Sequence, residues 1–558
     1  MSTNPARRTV LKAGAAAAAV LLTGCTSAPS SSASSGTPAT PSSSAPAKLS
    51  FTMGTAANPA GLDPALVADT ESFRITRQIL ETLIGVDPNT GVPAPALATK
   101  WEELNNGRSY RFTLRPGITF HDGTAFDAEA VRANFQRWYK LPRKIRPAEG
   151  RLPFEAVFGA YADSPAESMY VGCKVLGPLE VQLDLSRPFT GLVAALSSPA
   201  FAISSPTALD KGKADEPSQE RGGVKLSDYA QHPVGTGPFK LASWKDGTVV
   251  LSAFGGYWGA ASQVSRVTFS ALPHPATRTR ELLAGELDGY DLVTPGTYAD
   301  LARNGMQVLQ RDPFSVLYLG MNQASGPLAD IRMRQAIAHA VDRRALIDGF
   351  FLKGTNEARQ FIPPSLGVNN EEITYYEYDP EQSRALLKAA GYDGEPLTFH
   401  YPLNVTRAYL PTPEKVYAVL SRQLTAVGLN IKPMPLAWDE GYLERVQSTA
   451  KHALHLSGLS GSYRDPDNFV GTLFGAPSAE FGFNSAVVFN RIAQARALPN
   501  GPERTQAYLD INDLLARRLP ALPLAFPISA LAMGPQVASY PANSMLDEVF
   551  NLVRLQTG

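Results

Sequence analysis

Residues 110–123 read Tyr110-Arg-Phe112-Thr-Leu114-Arg-Pro116-Gly117-Ile118-Thr-Phe120-His121-Asp122-Gly123. Tyr110, Phe112 and Leu114 alternate with polar residues, the period-two pattern of a half-buried strand. Pro116-Gly117 is a turn pair, because Pro sets φ and Gly tolerates positive φ. Ile118 and Phe120 resume the alternation, so the stretch reads as a hairpin ending at the Asp122-Gly123 turn signal. Just downstream, Asp127 is placed to cap a helix that carries Val131, Phe135 and Trp138 on one face.

The same alternation of strand-like and helix-like segments runs from Lys48 to Gly558, with no low-complexity linker and no repeat of fixed period. A helix is expected after Asp330, over Ile331 to Val341. Another begins at Asp379-Pro380, where Asp379 serves as N-cap, Pro380 fits the first helical position and Gln382 stands where a capping box needs it. Gly391 suits the left-handed position that ends it. This mixture predicts an α/β or α+β body with more than one lobe.

Composition removes several functions. The 558 residues carry 51 basic and 51 acidic side chains, and this balance argues against broad nucleic-acid binding. Two cysteines support neither a disulfide scaffold nor a four-thiolate metal site. The 44% apolar content is too high for general disorder. No apolar run approaches the roughly 18 residues of a membrane-spanning helix.

The first 47 residues read as an address. Arg7 and Arg8 precede a short apolar stretch, Ala13 to Leu22, as in an export signal of the twin-arginine type, with the general secretory type as the alternative. Leu22-Thr-Gly-Cys25 resembles a bacterial lipobox, with Cys25 as the lipidated residue. Residues 26–47 are all Ser, Thr, Ala, Pro or Gly, a tether with a reach of about 26 Å. Segment 1–24 is therefore the signal and 25–47 the anchor and tether. Cys173 is then left alone and is expected to be a buried small apolar residue.

Catalytic and metal motifs are mostly missing. HExxH, GxxxxGK[ST] and GxSxG do not occur. Gly235-Thr-Gly237-Pro238 lacks the third glycine of a dinucleotide loop and is expected to be a tight turn between strands. His452 and His455 have metal-ligand spacing on a helix, but Leu454, Leu456 and Leu459 make the segment a buried strand and its exit. His121-Asp122 sits at a turn and is not read as a catalytic dyad. No cofactor, catalytic residue or metal ligand is assigned, and the chain reads as a binding protein.

Several stretches then carry a resemblance. They are Pro95-Ala-Leu-Ala-Thr-Lys-Trp101, the 110–123 stretch, Pro233-Val-Gly-Thr-Gly-Pro-Phe239 and Gly256-Tyr-Trp258. They continue with Arg332-Met-Arg-Gln-Ala-Ile-Ala-His-Ala-Val-Asp342, Tyr378-Asp-Pro380 and Asp465-Pro-Asp-Asn-Phe469. In this order and spacing the chain resembles the solute-binding proteins of dipeptide, oligopeptide and nickel ABC importers, bacterial extracellular solute-binding protein family 5. The resemblance implies a two-lobed, type II-like periplasmic-binding-protein fold with a hinge and an extra subdomain in the first lobe. The first lobe would use residues 48–311 and 522–558, and the second would use 312–521. Ligand would bind between closing lobes, a device that works by differential affinity for the closed state.

The resemblance also implies site residues. Arg407-Ala-Tyr409-Leu-Pro411 matches the Arg-x-Tyr-x-Pro stretch whose Arg holds a ligand carboxylate in dipeptide-binding members. A guanidinium offers two parallel charge-assisted bonds for that task. Peptide-binding members place an Asp three residues before the Asp-Pro pair to hold the ligand ammonium. Here Ser462 stands there, in Ser462-Tyr463-Arg464-Asp465. Ser462 cannot neutralise a buried ammonium. Asp465, Asp467 or Glu71 could substitute, Glu71 lying in the Val67 to Glu71 stretch that lines the pocket in relatives. The ligand-binding candidates are Arg407, Tyr409, Ser462, Tyr463 and Glu71. The ligand is either a peptide or a non-peptide solute such as a nickel chelate, oligosaccharide or opine-like acid; an exported hydrolase is a remote alternative. The implied partners are an ABC permease with its ATPase and, through Cys25, the membrane. The expected state is a monomer on the extracytoplasmic face, in the periplasm if the cell is Gram-negative.

Overall fold

The computed structural model describes residues 49–556 apart from 89, 148–150, 222–223, 450–451 and 546–547. The export signal, Cys25 and the tether lie outside the described residues. Strand Leu49–Thr55 sits inside a seven-stranded mixed sheet, parallel to Val264–Ala271 on one side and Gly289–Asp291 on the other. A six-stranded sheet is built around Ser315–Met321, whose seven residues are all buried. Its neighbours Leu454–Ser460 and Ala521–Phe526 both run antiparallel to it. These two sheets are the cores of the two lobes.

The chain leaves the first sheet at Arg311 and enters the second at Ser315. It returns between Phe526 and Ser529. The expected return at 521/522 is thus about one strand too early. Ala521–Phe526 is apolar and buried throughout, and nothing in its composition says which sheet it joins.

Beside the first sheet, Ala98–Leu104, Ser109–Leu114, Glu180–Leu185 and Tyr170–Gly177 form a four-stranded antiparallel sheet. This is the extra subdomain, with its own aromatic core around Phe112, Phe135, Trp138 and Phe158. The expected hairpin over 110–123 is corrected here. Ser109–Leu114 pairs with strands before it and well after it, and Ile118–Phe120 forms no ladder strand with it. Gly117 does turn the chain, at φ +76°. Ile118 and Phe120 are buried as their alternation required, but they bond to the Thr124–Phe126 return instead. Helix Ala128–Tyr139 is as read: the Asp127 carboxylate accepts from the Ala130 amide at 2.9 Å, and Val131, Phe135 and Trp138 are buried. Cys173 is half-buried on an edge strand, and desolvation pushes its thiol up to about 12, so it is inert at neutral pH.

The glycine-rich stretch is no turn between strands. Ideal Cβ atoms on Gly235 and Gly237 would stand 2.3 Å from the Ile79 carbonyl oxygen and 2.6 Å from that of Gln78. Glycine is needed so that the backbone can reach the end of helix Thr70–Ile79, where the Gly237 amide donates to the Ile79 carbonyl at 3.0 Å. The Glu81 carboxylate, two residues past that helix, accepts from Thr236, Tyr257 and Trp258 at 2.7–2.9 Å. His121 completes the knot through its amide to Gly235 and its Nε2 to the Gly237 carbonyl. Three separate fingerprints therefore converge on one helix end.

In the second lobe, Asp330 caps helix Ile331–Ala340, and Asp379 accepts from the Glu381 and Gln382 amides to start Pro380–Ala389. Gly391 takes φ +71° just past the end of that helix. Arg334 donates to the carbonyls of Leu328, Arg518 and Leu519, pinning the C-terminus of helix Pro502–Arg518.

Candidate ligand-binding site between the lobes

Helix Thr70–Ile79 supplies Glu71, in the first turn behind the Asp69 cap. Glu71 is 2% exposed. It belongs to a buried ion cluster. Arg74 reaches Asp291, Glu548 at 3.3 Å and Glu71 at 3.4 Å. Arg311, the last strand residue before the crossing, donates to Asp291 at 2.6 Å and Glu548 at 2.7 Å. The two guanidiniums hold the Asp291 carboxyl down at about 2 although burial alone would raise it. Glu71 behaves differently: burial pushes its carboxyl up, and Arg74 and Arg407 offset this only in part.

Arg407 belongs to the second lobe, in the loop after strand Leu397–Leu403. Its guanidinium lies 4.1 Å from the centre of the Trp438 ring, and its Nε is buried without a hydrogen-bond partner. Glu71 and Arg407 thus come within electrostatic range of each other from opposite lobes. Trp438 was missed in the sequence; the only signal was an aromatic residue directly after strand Ile431–Ala437.

Tyr409 does not share that position. Its ring packs on Gly458, where a Cβ would stand 2.3 Å from Cδ2, and it is part of the second lobe's core. Burial pushes its phenol up to about 12. Ser462 is half-buried, and its amide donates to Asn468 Oδ1 at 2.8 Å. Tyr463 crosses over: it is 5% exposed and belongs to the apolar core of the extra subdomain.

Two of the three alternative acids, Asp465 and Asp467, are bonded to arginines. Asp465 accepts twice from Arg504 Nη2, at 2.8 and 2.9 Å, and Asp467 accepts from Arg496 Nε at 2.6 Å. Arg496 also donates to the Ala156 carbonyl, and Thr190 bonds to the carbonyls of Arg496 and Leu498. These are direct bonds between the extra subdomain and the second lobe. Beside them lies a cleft of about 670 Å³ lined by Trp101, Tyr110 and Gly191 on one side and Arg464, Asp465 and Arg504 on the other. None of the five expected ligand-binding residues lines it.

His452 precedes strand Leu454–Ser460 and His455 lies within its buried first half. His455 Nε2 meets Glu480 Oε1 at 2.9 Å, and the Tyr318 hydroxyl donates to the same oxygen. Among the described residues, no group of three or more His, Cys, Asp or Glu side chains is placed to hold a metal ion. No helix among them is long and apolar enough to cross a membrane.

The family description "Bacterial extracellular solute-binding proteins, family 5 Middle" matches residues 92–481. The chain belongs to this family. Among family 5 relatives, the dipeptide-binding protein of Escherichia coli (strain K12) is 28% identical over 489 residues, covering 84% of this chain and 87% of that protein. Heme-binding protein A of Haemophilus influenzae is 28% identical over 544 residues, covering 94% and 95%. Two solved structures are similar in fold. The periplasmic binding protein DppA from Helicobacter pylori, in complex with the peptide STSA, has a TM-score of 0.80 at 24% identity over 91% of this chain and 98% of its own. AgaA from A. tumefaciens R10, in complex with agropinic acid, has a TM-score of 0.76 at 22% identity over 91% and 99%. The two-lobed fold and the role of extracytoplasmic solute-binding protein follow from this membership, and the relatives are binding proteins rather than enzymes.

Proposed function

We infer that this protein is the lipid-anchored capture subunit of an ABC importer, taking short peptides between its lobes and delivering them to a permease. The observation that carries the ligand class is Arg407, its guanidinium 4.1 Å from the centre of the Trp438 ring and its Nε buried without a hydrogen-bond partner. A guanidinium offers a planar anion two parallel charge-assisted bonds, and a carboxylate matches that fork. The peptide reading draws on relatives named for dipeptide and glutathione binding. Cys25 supplies the anchor and residues 26–47 the tether.

One observation favours a second reading, a carboxylate solute without a free amine. Ser462 offers no charge, and Asp465 and Asp467 are tied to Arg504 and Arg496. Thermal stabilisation of the purified protein by di- and tripeptides, their N-acetylated forms and opine-like acids separates the two. Ligand at 100 times its Kd adds about 2.7 kcal/mol, readable in a melting scan. Arg407→Ala should abolish the shift for every carboxylate that gives one. An undiminished shift in that variant would sink the assignment of Arg407.

A further inference from the structure

The turn closed by Ser478 and Phe483 is docked on the second lobe by its backbone and by Glu480. The Asn322 side-chain amide donates to the Ala479 and Glu480 carbonyls at 2.8 and 3.2 Å, and the Gln323 amide donates to the Phe481 carbonyl at 2.8 Å. Phe481 and Phe483 pack on Phe474, the end of the helix whose Asp467 holds Arg496. Glu480 is 7% exposed, and among the described residues its ion-pair partner is His455, not an arginine or lysine.

Three contacts run in a row from this carboxylate. His455 Nε2 meets Glu480 Oε1 at 2.9 Å, His455 Nδ1 meets His452 Nε2 at 3.1 Å, and His452 Nδ1 meets the Thr449 carbonyl at 2.8 Å. Each contact needs one hydrogen. Two neutral imidazoles bring two, and an ionised carboxylate brings none. The third hydrogen is an added proton. The Tyr318 hydroxyl also donates to Glu480 Oε1, but it fills none of the three contacts.

We propose that Glu480, His455 and His452 share one buried proton, which fastens the 478–483 turn to the second lobe and makes that lobe sensitive to alkaline pH. Without it a carboxylate would be buried with no counter-charge. Burial keeps His452 neutral, which leaves the proton between His455 Nε2 and Glu480 Oε1. The titratable groups facing the cluster are Tyr318 from strand Ser315–Met321, His400 from strand Leu397–Leu403, Tyr409, Tyr442 and, beside His400, Arg445. Burial pushes the three phenols up, so none of them ionises near neutral pH. In the unfolded chain above about pH 6.5 both imidazoles are neutral and the carboxylate is ionised, so folding takes up one proton from solvent. Stability is then lost as pH rises above about 6.5. The folding constant falls by up to about tenfold per unit until the fold itself releases the proton.

Melting temperature of the purified protein, followed from about pH 6.5 to about 9, tests this. It should fall in wild type and fall clearly less in Glu480→Gln, because the introduced amide carries its own N–H for His455 Nε2. Glu71 and Glu81, whose carboxyls burial also pushes up, are common to both proteins and cancel in the difference. An equal fall in the two proteins overturns the proposal. Should the variant not fold, nitrogen-15 spectra of histidine-labelled wild type at about pH 8 decide, since ordinary imidazoles are neutral there. His455 Nδ1 carrying a hydrogen is the expected result. Two singly protonated rings with His455 Nδ1 bare overturn the shared proton.

Discussion

His400 and His452 take their chemistry from burial. The three-residue spacing of His452 and His455 would suit a metal on a helix, but the segment reads as a buried strand and its exit; in the fold, His452 gives Nδ1 to the Thr449 carbonyl and shares a buried cluster with His455, His400, Glu480 and Tyr318. Burial is the main cause that lowers His400 to about 4 and His452 to about 3, helped by His455 and, for His400, Arg445. Both stay neutral in the fold at pH 5–6, whereas the unfolded chain's imidazoles charge below about 6.5. The unfolded state then binds more protons, so stability falls as pH drops from about 6.5 towards 4. Melting temperature should decline across that window, and His452→Gln should flatten the decline. A slope identical to wild type would mean that other groups carry it. At this scale Arg407 and Glu71 were readable as candidates from their stretches. The setting of Tyr409 was not readable, because its ring packs on Gly458, a neighbour 49 residues away.

At the scale of elements, local signals worked where the partner is local. Asp127, Asp330 and Asp379 all cap the helices expected of them, because a cap bonds to amides two or three residues on. The 110–123 hairpin failed because strand pairing is not local: Ser109–Leu114 takes Glu180–Leu185, some seventy residues later, as one neighbour. The Gly235-Thr-Gly237 motif was read as a turn for want of its partner, the end of helix Thr70–Ile79. A methyl on Gly237 would meet backbone, which cannot swing aside as a side chain could. Gly237→Ala should therefore destabilise the first lobe by about 1–3 kcal/mol, the usual range for overpacking. Chemical denaturation checks this, and a loss under about 0.5 kcal/mol would show that the helix end yields.

For the whole molecule, the lobes are joined by groups that cross between them. Tyr463 leaves the second lobe's loop to enter the apolar core of the extra subdomain, and Thr190 and Arg496 bond across the same boundary. Tyr463→Ala should leave each lobe folded and shift the population towards open forms, since the lost burial exists only while the lobes touch. Small-angle scattering should show a larger radius of gyration, and ligand affinity should fall about tenfold or more. An unchanged radius together with unchanged affinity would deny Tyr463 this role. The ion cluster of Arg74, Arg311, Asp291 and Glu548 stands where the chain passes from the first sheet to the second, because Arg311 ends the strand that leads into the crossing.

The sequence carried the binding-protein class, the family resemblance and the mixed α/β body, since composition, caps and ordered short motifs are all local or cumulative properties of the chain. It also offered Arg407 as a candidate, and it has Ser462 where the resemblance implies an acid. It could not say that Asp465 and Asp467 are spent on Arg504 and Arg496, that Trp438 lies under Arg407, or that strand Ala521–Phe526 belongs to the second sheet. Each depends on residues brought together over tens to hundreds of positions. The same holds for Glu71: its chemistry is set by charges from Arg74, Asp291 and a loop of the opposite lobe, and only packing in three dimensions assembles them.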